Sequence, residues 1–460
     1  SLAAATVTVS SGDEADNITL QSVSSGSTIT IDTGDGSDTI LFEGNVSGTV
    51  VDIDLGDGNN QLNLAASKAL TASSFDLTSG SDNDTLIFAG ALNSTGNLNI
   101  VTGAGGDQLD FQDDVNGTAV TIDLGGGDNQ FDLAASKSLT ASSFDLTTGS
   151  DNDTLIFAGA LNSTGNLNIV TGAGNDQLDF QDDVNGTAVT INLGDGDNQF
   201  DLAVSKSLMA SSFDLTSGPG NDTLIFAGAL NSSGVVNIDT GAGNDQLDFQ
   251  DDVTVTAAAT INLDDGVNQF DLAASKTLSA REFSLTSGAD ADDLNIKGLV
   301  LANVIAIDSG ADNDTISITG TLRDTDSSSD TDVGIITIIG GADNDVITLS
   351  AQEITGRAQI AGASGNDDIS VIRLHTRVED LDLDGGEGQD DYFIQTTNVD
   401  ENGADADYVI NTNDTGTNAN DHDQLIVDGT SDVDLFLIRE NYIARMHGNS
   451  LNYFNNPNVE

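Results

Sequence analysis

Apolar residues alternate with polar ones in short runs along most of the chain. In residues 103–124 a turn, GAGGD, precedes QLDFQ, where Leu109 and Phe111 point one way and Asp110 the other. A second turn, DDVNG, leads into TAVTIDL, where Val120, Ile122 and Leu124 alternate with Thr121 and Asp123. A period of two is the mark of a half-buried strand. Gly and β-branched residues abound and no stripe of period 3.6 persists, which argues against helix.

The alternation recurs. Residues 75–143 and 144–212 both begin FDLT and differ at six of 69 positions: Ser79/Thr148, Gly106/Asn175, Asp123/Asn192, Gly126/Asp195, Ala135/Val204 and Thr140/Met209. Looser copies start at Phe213 and Phe283, so 69-residue super-repeats are clearest over 75–282. Inside each block a shorter unit, Gly-x-Gly/Asp-x-Asp/Asn followed by alternating apolar residues, returns every 22–24 residues, as at Gly34, Gly56, Gly80, Gly103 and Gly125. Such a unit, with one turn and two alternating stretches, predicts one coil of a parallel solenoid. The fold class expected is all-β, a parallel β-solenoid (β-roll or β-helix-like) of about 17 coils over residues 1–396, interrupted by an insert at 321–333. A less regular β continuation follows over 397–460, with DQLIVDG and DLFLI as strands. Leu86/Phe88 and Leu109/Phe111 give way to Phe131/Leu133 in every third coil, so a core of interleaved Phe and Leu is expected.

Composition narrows the partners. There are 75 Asp plus Glu, nine of them Glu, against 12 Lys plus Arg, for a net charge of −63. A chain this acidic repels nucleic acid and anionic lipid. It has no Cys, hence no disulfide or thiol chemistry, and no apolar run long enough for membrane insertion as a helix.

The acids concentrate in the Gly-Asp turns. Stacked coils bring equivalent turns about 4.8 Å apart, and a column of carboxylates at that spacing repels itself. Twelve basic residues cannot neutralise it, so a cation is expected. Ca²⁺ accepts six to eight hard oxygens, whereas Mg²⁺ demands tight octahedral geometry. Gly permits the left-handed turn conformation, and the short Asp side chain stays close to the turn.

GSDNDTLIF, GAGNDQLDF and GGADNDVITL resemble the glycine-aspartate repeats of the RTX, or haemolysin-type calcium-binding, family, whose nonapeptide is Gly-Gly-x-Gly-x-Asp-x-φ-x. The resemblance covers the turns of residues 12–394. It implies a β-roll with multiple Ca²⁺ ions between successive turns, and export before folding. Carried over by motif position, the ligands are Asp16, Asp38, Asp84, Asp107, Asp153, Asp176, Asp222, Asp245, Asp292, Asp314, Asp345, Asp367 and Asp390. A second Asp two residues earlier adds Asp82, Asp151, Asp290, Asp312 and Asp343. Asn60, Asn129, Asn198 and Asn268 take the ligand place in every third coil. Two features depart from the family pattern. There is one motif per coil rather than two, placing calcium along one edge, and the first Gly is often Thr, Ser or Leu. Degenerate repeats of this kind are closer to those of large secreted bacterial surface proteins than to the toxins.

Other ladders stand beside the turns. Lys68, Lys137, Lys206 and Lys276 recur at the second turn, and Asp113/Asp114, Asp182/Asp183 and Asp251/Asp252 occupy nearly the same place one coil earlier, as expected for salt bridges between neighbouring coils. Ile87, Ile156 and Ile225 face outward by period two and form a candidate lateral contact.

No catalytic residues are assigned. His375, His422 and His447 lie outside the regular blocks, and no nucleophile elbow, phosphate loop or metalloprotease motif occurs. Calcium-dependent polysaccharide lyases also use β-helices with a catalytic Arg or Lys, for which Arg373 and Arg377 are candidates, but the long loops that build a cleft are missing. The expectation is a secreted or cell-surface structural protein, not an enzyme. It would be a calcium-stiffened rod that self-assembles as a surface layer, sheath or fibre, or serves as an adhesin stalk. Its partners would be copies of itself and cell-surface polysaccharide. The alternative is the calcium-binding repeat module of a secreted polysaccharide-modifying enzyme. The chain begins SLAAATV and ends NPNVE with no closing element, as a segment of a longer polypeptide would.

Overall fold

A computed structural model describes residues 2–325, 335–351, 353–374, 380–397, 408–416, 422–430, 434–439, 442–447 and 450–455. The chain divides into two compact units, Ser1–Asn231 and Ser232–Glu460. Both are built from the same coil, as a parallel β-solenoid of about 16 turns in all and no helix among the described residues.

Each regular coil carries three strands, not the two read from the alternation. The coil after Gly103 comprises Gln108–Phe111, Val115–Asn116 and Ala119–Asp123. The extra strand lies within DDVNG and pairs in parallel with Ala91–Ser94 before it and Ser138–Ala141 after it. Two residues are too few to display a period, yet Val115 is fully buried. The first strands of successive coils form one sheet, and the second and third strands form the other. Pairing is in register, with Leu86 beside Leu109 and Phe88 beside Phe111.

In-register stacking aligns side chains of successive coils into columns. Phe88, Phe111, Phe131, Phe157, Phe180, Phe200 and Phe226 are fully buried. Their rings touch in series, with centroids 5.4 Å apart for Phe88–Phe111, 5.8 Å for Phe111–Phe131 and 4.8 Å for Phe131–Phe157. In every third coil the Phe moves two residues back along its strand. That same coil carries another Phe, Phe144, in its third strand, which meets Phe157 edge-on at 6.2 Å. The exchange of Phe and Leu thus accommodates a second ring in the coil without breaking the column.

In the second unit the pairing departs from the parallel pattern near the end. Ser450–Asn455 pairs in parallel with Tyr408–Thr412, but Tyr442–His447 runs antiparallel to it and Leu435–Arg439 antiparallel to that. The stack is therefore followed by a folded-back meander, in which DLFLI supplies a strand as expected, but an antiparallel one. The insert contributes the strand Thr321–Asp324, and its residues 326–333 lie outside the described residues, as do His375 and Arg377.

Candidate metal-binding turns

The motif's first and third positions both take left-handed backbone conformations. Gly56 and Gly58 have φ of 69° and 121°, and Gly80 and Asp82 have φ of 87° and 77°. Asp151, Asp290, Asp312 and Asp343 occupy the third position in the same way, with φ of 73–80°. All five of these Asp are exposed. They substitute for Gly in the turn, because Asp tolerates this region better than most residues. Close stacking adds a second constraint at the first position: a Cβ on Gly125 would lie 1.5 Å from Gly103 O.

The fifth position points inward. Asp38, Asp84, Asp107, Asp153, Asp176, Asp222, Asp245, Asp292, Asp314, Asp345, Asp367 and Asp390 are at most 3% exposed, while Asp16, in the first coil, is half-buried. Within each unit these side chains form a ladder. Asp16 N–H donates to Asp38 Oδ1, Asp38 N–H to Asn60 Oδ1, Asn60 N–H to Asp84 Oδ1 and Asp84 N–H to Asp107 Oδ1, at 2.7–2.9 Å. Asn and Asp are interchangeable for this bond, since each presents one acceptor oxygen.

They differ at the other terminal atom. Asn60 Nδ2 lies 3.0 Å from Gly56 O, 2.9 Å from Gly58 O and 3.1 Å from Ser79 O of the next coil. Asn198 repeats this with Gly194, Gly196 and Ser217. The left-handed turn therefore aims its first and third carbonyls at the fifth side chain. In the Asp coils the terminal atom is an oxygen. Oδ2 of Asp38, Asp84, Asp107, Asp153, Asp176, Asp292, Asp314, Asp345 and Asp367 is buried without a hydrogen-bond donor.

The residue before the motif's first Gly follows the same division. It is Ser or Thr where the ladder has Asp, and Leu where it has Asn, without exception from Ser11/Asp16 through Ser309/Asp314. Its hydroxyl donates to the carbonyl of the equivalent residue one coil on: Thr102 to Leu124 O at 2.8 Å, Thr148 to Thr171 O at 3.0 Å and Thr171 to Leu193 O at 2.7 Å. Where Leu stands there, as at Leu55, the Asn amide supplies that bond instead. The hydroxyls also lie against the carboxyls, Thr102 against Asp107 and Thr148 against Asp153. Each hydroxyl has one proton for two acceptors, so the carboxylate oxygen is left over.

A buried acceptor without a donor is costly, more so when charged. Burial pushes the carboxyls of Asp84, Asp153, Asp292 and Asp345 up to about 7 and Asp314 to about 6. It also raises Asp107, Asp176 and Asp367. The cradle offers only oxygens: a carboxylate, a hydroxyl lone pair and turn carbonyls. Such a set fits a hard cation of the Ca²⁺ type. The exposed Asp82 does not join Asp84 and Asp107 in a three-carboxylate cluster. Among the described residues the group of that kind is Asp390, Asp414 and Asp423, with carboxylate oxygens within 4.8 Å of one another. Asp423 Oδ1 accepts Asp390 N–H at 3.0 Å, and burial followed by the Asp423 carboxyl pushes Asp414 up to about 7.

A second ladder runs along the exposed fourth position with opposite polarity. Asn83 Oδ1 accepts Gly106 N–H at 2.8 Å and Asn152 Oδ1 accepts Asn175 N–H at 2.9 Å, so here the earlier coil supplies the side chain. On the far side of the coil, Lys137, Lys206 and Lys276 pair with Asp113, Asp182 and Asp251 of the preceding coil at 2.6–2.7 Å, as expected from the sequence. Asp114 Oδ1 accepts both Ser138 N–H and its hydroxyl. Ile87 and Ile156 are half-buried in the outward rows, Ile87 between Asn63 and Asp110 and Ile156 between Asp132 and Asp179.

In the second unit a groove of about 540 Å³ is lined by Thr337, Gln359, Asp382, Asp384, Asn411 and Asn413, among others. Arg373 is exposed and donates from Nε to Gln395. Compared with protein-family models, curated proteins and solved structures, the chain matches none.

Proposed function

We propose that the protein is a calcium-binding structural protein of the cell surface or secreted material, stiffened along its Gly-Asp turns. The observation that carries this reading is the Asp/Asn contrast at the fifth turn position. One side-chain atom meets the turn carbonyls as an amide nitrogen in some coils and as an anionic oxygen in the rest. The second case needs a positive charge, and the chain has too few basic residues to supply it. Bound Ca²⁺ would neutralise the buried carboxylates and tie each turn to its neighbour.

Self-assembly accompanies this reading. The edge strand Leu435–Arg439 exposes Leu435 by 63% and Ile438 by 70%, with Phe436 and Leu437 also exposed. An apolar edge of this kind is a template for another chain. The amide- and carboxylate-lined groove beside Gln359 and Asn411 is where cell-surface polysaccharide would be sought.

The test is calcium titration of chelator-treated protein, followed by calorimetry and thermal melting. Saturable binding with a large rise in melting temperature is expected. Absence of binding at millimolar calcium rejects the proposal.

A further inference from the structure

The Asn coils contain everything needed to satisfy their own turn. Asn129 Nδ2 donates to Gly125 O and to Thr148 O of the next coil, and Leu124 fills the place held by Ser or Thr elsewhere. The paired Asp coils lack this. Asp153 Oδ2 is buried with no donor, and the one Thr148 proton serves Thr171 O. The pairing of Leu with Asn, and of Ser or Thr with Asp, shows that the two positions act as one module.

We infer that every third coil of the 69-residue blocks carries its own substitute for the cation. Metal then binds only at the Asp coils, in a pattern of two binding turns followed by one self-satisfied turn. The Leu/Asn pair replaces the ion's charge with two amide protons and removes the carboxylate that would require it. The inference rests on the calcium reading and assigns which turns bind. The Leu124/Asn129 turn holds no ion, because it has no anionic oxygen to offer.

Two double substitutions in the full chain test it by equilibrium dialysis against radioactive Ca²⁺ alone. T148L/D153N installs a module that the chain already contains at Leu124/Asn129 and Leu193/Asn198. It should lose at least one bound ion relative to the unsubstituted chain and survive chelation better. L124T/N129D should gain one. Unchanged stoichiometry in T148L/D153N overturns the inference while leaving calcium binding intact. An unsubstituted chain that binds no calcium overturns the calcium reading itself. A loss in T148L/D153N supports the inference even if L124T/N129D does not fold.

Discussion

Asp84 N–H donates to Asp107 Oδ1 at 2.8 Å, one coil ahead, while one residue earlier Asn83 Oδ1 accepts Gly106 N–H at 2.8 Å, also from the coil ahead. The Asn-Asp dipeptide thus fastens adjacent turns by two side-chain bonds of opposite direction, one buried and one exposed. Each bond to a charged or amide acceptor is worth about 1–2 kcal/mol, and the pattern repeats along the stack.

The first prediction concerns pH. The raised carboxyls of Asp84, Asp153 and Asp345 mean that the fold favours their neutral form. Their contribution is fully present below the unfolded value of 3.8 and is lost as pH rises towards about 7. In chelator, the urea midpoint should therefore fall between pH 4.5 and 7.5. With calcium the dependence should weaken or reverse, because metal binding requires the carboxylate. A flat profile in chelator excludes the buried-acid account.

The Phe column gives a second. Phe157 meets Phe131 at 4.8 Å, Phe180 at 5.1 Å and Phe144 at 6.2 Å. Phe157→Ala should cost about 3–5 kcal/mol in denaturant unfolding. A cost below about 1 kcal/mol is inconsistent with the packing described.

Glycine substitutions should separate by position. Gly125→Ala demands φ of +73° and a Cβ 1.5 Å from Gly103 O, so it should destabilise by more than about 1 kcal/mol. Gly26 has nothing within 4 Å of its Cβ position, and Gly26→Ala should be near neutral. Melting temperatures of the two variants decide the comparison.

How much of this was legible in the sequence depended on what repeats. The strands around Leu109 and Phe111, the turn Gly and the Lys137–Asp113 pairing followed from spacing alone. The strand Val115–Asn116 did not, being shorter than one period. The Ser/Thr or Leu before the first Gly was visible as a departure from the nonapeptide. Its role was not, because the bond it makes is to a backbone carbonyl 22–23 residues away. The antiparallel meander from Leu435 was hidden because the 22–24-residue spacing no longer guides the reading there.

For self-association, Leu437→Lys and Ile438→Lys place charge on an already acidic chain's apolar edge strand. Both should lower the association seen by light scattering at millimolar calcium without lowering the melting temperature much. Association unchanged by both substitutions would show that this edge takes no part.

The 69-residue block has a consequence for growth and misfolding alike. A slip of one coil sets Asn129 where an Asp stood and puts Phe131 out of step with its column. A slip of three coils restores every contact apart from the few positions at which the blocks differ. Errors of register, and changes in the number of coils, are therefore tolerated only in whole blocks. Excision of residues 75–143 should accordingly yield a shorter protein in which Phe144 inherits the neighbours of Phe75 and no new surface is exposed.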